Sequence, residues 1–139
     1  MKKIDVVCGI LIQNEKCLIA KRKTGDSVGK FEFPGGKVEK GETQKEALIR
    51  ELKEELNIDV DQLHFLANSI DFQNGKEIHL SCFYVYSSQI PKQCIVHSEF
   101  VWTTPEHIYD YDFFESDRSL VQKLTEKWPC IKKPAKPKS

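Results

Sequence analysis

Residues Gly35–Ile58 read GGKVEKGETQKEALIRELKEELNI, and their patterning is that of a turn followed by one well-defined helix. Thr43 and Glu46 have the spacing of a capping box, in which each side chain serves the other's backbone amide. Apolar Leu48, Ile49, Leu52 and Leu56 follow at helical intervals and are expected to pack on a sheet. Asn57 lies where the helix must stop, and asparagine tolerates the left-handed conformation that a stop requires. On this helix Glu51, Glu54 and Glu55 project within roughly a third of the circumference, because successive residues turn by about 100°. Like charges so close repel. A hard divalent cation would relieve them, since Mg²⁺ takes oxygen ligands from a few carboxylates and from substrate phosphates.

Upstream of the helix, Gly35-Gly36 lets backbone approach a ligand closely, Lys37 adds a positive charge, and Glu42 a further carboxylate. Phe31-Glu32-Phe33 is a short extended piece stopped by Pro34. Before it, Ile4–Ile12 and Lys16–Arg22 form a hairpin about Gln13-Asn14-Glu15, and 24–30 is a polar loop. Downstream, Asn74-Gly75 is a strong hairpin signal between strands near Leu63–Phe72 and Glu77–Tyr86. Another strand is expected from Ile95 to Trp102, and a second helix from near Ser116. The order of strands, helix, strands and helix gives an α/β chain with a mixed β-sheet sandwiched between α-helices.

The chain has 139 residues, is 40% hydrophobic and 30% charged, and carries zero formal net charge. One soluble globular domain is expected over 1–129, followed by a disordered basic tail over 130–139. Zero net charge points away from long nucleic acid and from an acidic membrane surface. No apolar run approaches a membrane span and the N-terminus resembles no signal peptide, so the cytoplasm is the expected compartment. The cysteines (Cys8, Cys17, Cys82, Cys94 and Cys130) are scattered and the histidines show no ligand spacing. Neither a disulfide framework nor a zinc site is expected.

Taken singly, these features describe a glycine turn leading into a charged surface helix. Taken together, Gly36, Glu42, Arg50, Glu51, Leu52, Glu54, Glu55 and Ile58 resemble the Nudix box, G-x5-E-x7-R-E-U-x-E-E-x-G-U, with U a bulky aliphatic. Asn57 stands in place of its last glycine. The stretch Phe31–Lys37 is similar to the W-E-F-P-G-G-K segment of the MutT-like branch, with Phe31 for tryptophan. Phe113-Phe114-Glu115-Ser116-Asp117 falls where that branch places a base-recognising Asn or Asp.

The resemblance implies a Mg²⁺-dependent hydrolase, with Mn²⁺ able to substitute, that cuts a nucleoside 5'-triphosphate to the monophosphate and pyrophosphate. An oxidised or modified dNTP such as 8-oxo-dGTP is the first candidate, in keeping with nucleotide-pool sanitation and DNA repair; CTP or a modified cytidine nucleotide is the second. The Gly35 carbonyl, Glu42, Glu51, Glu54 and Glu55 would hold metal, and Arg50 would orient the carboxylates. Glu51, Glu54 or Glu99 would be the general base. Arg22 and Lys37 would meet phosphates, Phe33 and Leu80 would line the base pocket, and Asp117 would read the base. The only partner implied is a small nucleotide, bound by a monomer or homodimer. A reading of another class is a catalytically silent nucleotide sensor, although such domains tend to lose box glutamates that this chain keeps.

Overall fold

Val7, Ile10, Leu11 and Ile12 are all fully buried or nearly so. Consecutive residues of a strand point to opposite faces, so the strand that holds them must be covered on both sides. In the computed structural model, which describes residues 2–23, 25, 28–92 and 96–134, that strand is β1 (Lys2–Gln13), at the middle of the sheet. The other strands are β2 (Lys16–Arg22), β3 (Phe31–Glu32), β4 (Gly35–Lys37), β5 (Gln62–Gln73), β6 (Lys76–Tyr86) and β7 (His97–Thr103). The path through the sheet runs β3-β2-β1-β6-β5, with β4 paired to β1 and β7 to β2. β1 and β6 are parallel, from Lys2 opposite Lys76 to Ile12 opposite Tyr86, and the remaining pairs are antiparallel.

Helix α1 (Gln44–Leu56) covers one face, where Leu48, Leu52 and Leu56 meet Val7, Leu11, Leu18 and Val85. Helix α2 (Arg118–Ile131) covers the other, where Leu120, Val121 and Leu124 meet Ile10, Ile12, Ile19 and Cys82. The expected mixed sheet between helices is therefore the fold. Local signals act as read. The Glu46 amide donates to Thr43 Oγ1 (3.1 Å) and the Thr43 amide donates to the Glu46 carboxylate (2.9 Å). Asn57 ends α1 at φ 54° and ψ 43°, and Asn14, Glu15, Asn74 and Gly75 supply the positive φ of the two hairpin turns.

Several boundaries move. Ile49, expected on the sheet, is 46% exposed. The buried arc of α1 runs from Ala47 through Leu48 and Leu52 to Leu56, and Ile49 falls past its edge. The centre of that arc is occupied by Glu55, an acid where a leucine would be ordinary. β7 begins at His97, and Ile95 lies outside the described residues. α2 begins at Arg118, after a short 3₁₀ turn over Glu115–Asp117. Its last turn carries the ordered chain past the boundary drawn at 129: Ile131 is buried, and Tyr86 Oη donates to its carbonyl at 2.6 Å. Of the expected tail, 135–139 lie outside the described residues. Cys8, Cys17, Cys82 and Cys130 are free thiols, and Cys94 lies outside the described residues. Among the described residues, no helix is long and apolar enough to cross a membrane.

Candidate active site

β4 and the Phe33-Pro34 link before it are pressed against β1, and this closeness accounts for the glycines of β4. Gly9 donates its amide to the Pro34 carbonyl at 2.8 Å. A Cβ on Gly35 would collide with the Val7 carbonyl oxygen and come within 2.6 Å of Cys8 Cα; one on Gly36 would lie 2.5 Å from the Glu51 carboxylate. Gly36 therefore makes room for a side chain of α1, and Gly35 for the neighbouring strand. The Gly35 amide donates to Glu55 Oε2 at 3.2 Å.

Arg50 organises the outer half of the acidic cluster. Its Nε and Nη2 donate to the two oxygens of Glu42 at 2.7 and 2.9 Å, a bidentate pairing that a lysine could not reproduce. Nη1 reaches Glu51 Oε1 at 2.9 Å and Glu54 Oε2 at 3.4 Å, and Nη2 the Lys37 carbonyl at 3.2 Å. The guanidinium bonds, with the Glu39 amide, pull Glu42 down to about 2, and the same carboxylates raise Arg50. Glu51 is pushed up by burial against the opposing pull of Arg50. Glu55 is pushed up to about 8, first by burial and then by the charges of Glu51 and Glu32. A buried acid facing two other acids is held out of its ordinary ionisation by its own fold.

Glu51 and Glu55 look into a cleft of about 640 Å³, a volume suited to a nucleotide. Gly35, Gly36 and Lys37 line it beside them, and Phe33, Leu80, Phe114 and Asp117 line it further along. Arg22 and Glu32 also face it, joined by an ion pair of 3.0 Å. Asp117 is 6% exposed and pushed up to about 7 by burial, with smaller contributions from Glu32 and Asp71. It stands at the N-cap position of α2 but makes no side-chain capping bond.

One cleft thus gathers Arg22, Phe33, Gly35, Lys37, Glu51, Glu55, Leu80 and Asp117 from the sequence expectation, with Arg50 and Glu42 bracing Glu51 from behind. Two residues stand apart. The Glu54 side chain is 60% exposed and turned to Arg50. Glu99 is exposed on β7 opposite Lys21 and does not line the cleft, so its expected part as general base has no geometric support. Sequence reasoning missed Ser69, Asp71 and Gln73, alternate residues of β5 that line the cleft, and gave Glu32 no role. The strand itself was legible, but not which of its faces meets the site.

Among the described residues, no three carboxylate, imidazole or thiol side chains stand together as a ready metal cage. The donor set nevertheless fits a hard divalent cation: Glu51 and Glu55 bring two carboxylates from one helix into a cleft that Glu32, Asp71 and Asp117 also line.

A NUDIX domain model matches residues 2–124. The chain is 37% identical over 123 residues to the CTP pyrophosphohydrolase of Escherichia coli, covering 88% of this chain and 91% of that protein. It is 40% identical over 86 residues to the 8-oxo-dGTP diphosphatase of Proteus vulgaris, covering 60% of this chain and 77% of that one. The solution structure of the E. coli ORF135 protein superposes with a TM-score of 0.78 at 33% identity, covering 98% of this chain and 96% of that one. MutT protein from Methanosarcina mazei superposes with a TM-score of 0.82 at 22% identity, over 91% and 95% of the two chains, and shows the shared fold. With its acidic helix, glycine turn and cleft arranged as described, this chain belongs to the Nudix family, whose hydrolases use divalent metals.

Proposed function

We propose that this enzyme hydrolyses a nucleoside 5'-triphosphate to the monophosphate and pyrophosphate with Mg²⁺, Mn²⁺ being able to substitute, and that its base pocket is built for an oxidised guanine nucleotide such as 8-oxo-dGTP. The observation that carries this reading is that one cleft holds the Glu51–Glu55 pair and the buried Asp117 together. A bound divalent cation would neutralise charge on the phosphate oxygens and lower the pKa of an attacking water. Glu51 and Glu55, which both line the cleft, would hold it. Arg22 and Lys37 pair with the phosphates, and Arg50 fixes Glu51 by its Oε1. Of the three candidate bases, Glu51 alone faces the cleft, and we assign it the proton of the attacking water. The enzyme is read as a cytoplasmic monomer or homodimer acting on small nucleotides in pool sanitation.

Asp117 supplies the test of the base. Ionised, its carboxylate only accepts, which suits the adjacent ring N–H and amino donors of guanine or 8-oxoguanine. Protonated, it can donate to the ring nitrogen of cytosine and accept from its amino group. A pKa near 7 makes both forms available close to neutrality, and with the cytidine-specific name of one relative it supports CTP as the second reading. Since the shift is upward, the protonated form prevails below about 7 and the ionised form above it. The ratio of kcat/KM for 8-oxo-dGTP to that for CTP is expected to rise with pH through this point. Asp117→Asn should weaken guanine-type substrates by about 2–3 kcal/mol, the scale of a charge-assisted hydrogen bond, and abolish the pH dependence of the ratio. Equal small losses for 8-oxo-dGTP, dGTP and CTP would remove Asp117 from base recognition.

A further inference from the structure

His97 opens β7 with its side chain fully buried, yet its polarity has a purpose that packing does not explain. Its Nε2 lies 3.1 Å from Glu32 Oε2, the oxygen that also accepts from Arg22 Nη1 at 3.0 Å. Its Nδ1 is buried and meets no hydrogen-bond partner among the described residues. A phenylalanine would fill the same space beside Phe100 without an unmatched polar atom. What offsets the cost is the bond to Glu32. A carboxylate only accepts, so Nε2 must carry the hydrogen. The β2–β7 register shifts between Lys21 and Arg22, so that Arg22 stands opposite His97 rather than Ser98. Such irregularities re-aim side chains next to functional sites.

Arg22 and Glu32 both line the cleft, and His97 does not. We propose that His97 is a positioning residue for substrate binding: by donating from Nε2 it fixes the Glu32 carboxylate, which in turn holds the Arg22 guanidinium in one orientation toward the triphosphate. The inference rests on the reading of the cleft as a triphosphate site. A carboxylate held by two donors on one oxygen has less freedom to rotate than one held by Arg22 alone. The substrate phosphates then meet a cation already oriented, and the ordering is not charged to binding.

Two variants separate this role from packing, because both keep a polar side chain in the site. The amide of His97→Gln reaches as far as Nε2, whereas that of His97→Asn ends near Nδ1. His97→Gln is expected to keep KM for the nucleoside triphosphate within about twofold, and His97→Asn to raise it about tenfold with a smaller change in kcat, as loss of a bond to a charged group implies. Because His97 acts through Glu32, His97→Asn should add nothing to the KM of Glu32→Gln. Equal effects of the two variants, or additivity with Glu32→Gln, would overturn the proposal. A ¹⁵N spectrum of the imidazole in nucleotide-free wild type should show the Nε2–H tautomer, and the opposite tautomer would also overturn it. That spectrum needs no turnover. A wild-type enzyme inactive on every nucleoside triphosphate would defeat the reading of the cleft, while the ring spectrum still decides the His97–Glu32 contact.

Discussion

Glu55→Gln and Glu51→Gln are each expected to lower turnover by about three orders of magnitude, the scale of losing several kcal/mol of metal-borne stabilisation. Glutamine keeps the shape of either side chain, and at position 55 its amide oxygen can still accept from the Gly35 N–H. Only the charge is removed. The fold should therefore survive, and at position 55 it should strengthen. In the metal-free protein the Glu55 carboxyl is raised from 4.5 to about 8. Below the unfolded value it is protonated in both states and has no effect on folding. As pH rises toward 8 the unfolded chain ionises freely while the folded one resists, so native stability is lost across that window. The difference amounts to a few kcal/mol at most. Denaturation of metal-free wild type and Glu55→Gln at pH 5 and pH 8 should thus show a variant that is more stable by a margin growing with pH. Near-normal pyrophosphate release from both glutamine variants would reduce the acidic cluster to a charged surface.

Dialysis against a chelator is expected to abolish hydrolysis, and Mg²⁺ or Mn²⁺ to restore it. The electrostatics add a more specific expectation. A cation can be held by Glu55 only after the carboxyl gives up its proton, so metal binding near neutrality should release protons. Titration calorimetry in two buffers of different ionisation enthalpy reads that release directly, and it should shrink in Glu55→Gln. Activity should climb toward alkaline pH for the same reason, as the acids of the cleft ionise. Full activity in thoroughly metal-free protein would defeat the mechanism outright, whatever the glutamine variants do.

The parts of this molecule that could be read from its sequence are those governed by near neighbours. Thr43 with Glu46, Asn57, and Asn74-Gly75 act through bonds spanning a few residues, and each does in the structure what its chemistry suggests. Glu51 and Glu55 were legible because their spacing along one helix puts them on one face, although the same spacing also included Glu54, which stands outside the cleft. Residues whose role depends on a distant partner were not. Asp71 and Ser69 line the cleft only because β5 lies beyond β6, and β6 beside β1. His97 has no sequence neighbour to explain it, since Glu32 and Arg22 reach it from other strands. Ile49 failed for a subtler reason: helical spacing locates an apolar stripe but not its edges, and Glu55 takes the centre that hydrophobicity alone would have given away.

The parallel ladder between β1 and β6 also governs when the cleft can come into being. β1 begins at Lys2 and its partner at Lys76, so their first pairing closes a loop of more than half the chain. Such closure is slow, and its entropy must be met before any contact rewards it. A ribosome releasing this chain from its N-terminus would hold the hairpin, the glycine turn and the acidic helix outside the tunnel well before β6 emerges. Until then Val7 and Leu11 lack the strand that completes their face, and that half-built sheet is the species for which chaperones would compete. Nucleotide can favour only the finished fold, because Leu80 and Asp117 join the cleft after β6 has docked. Ligands should therefore slow unfolding far more than they hasten folding.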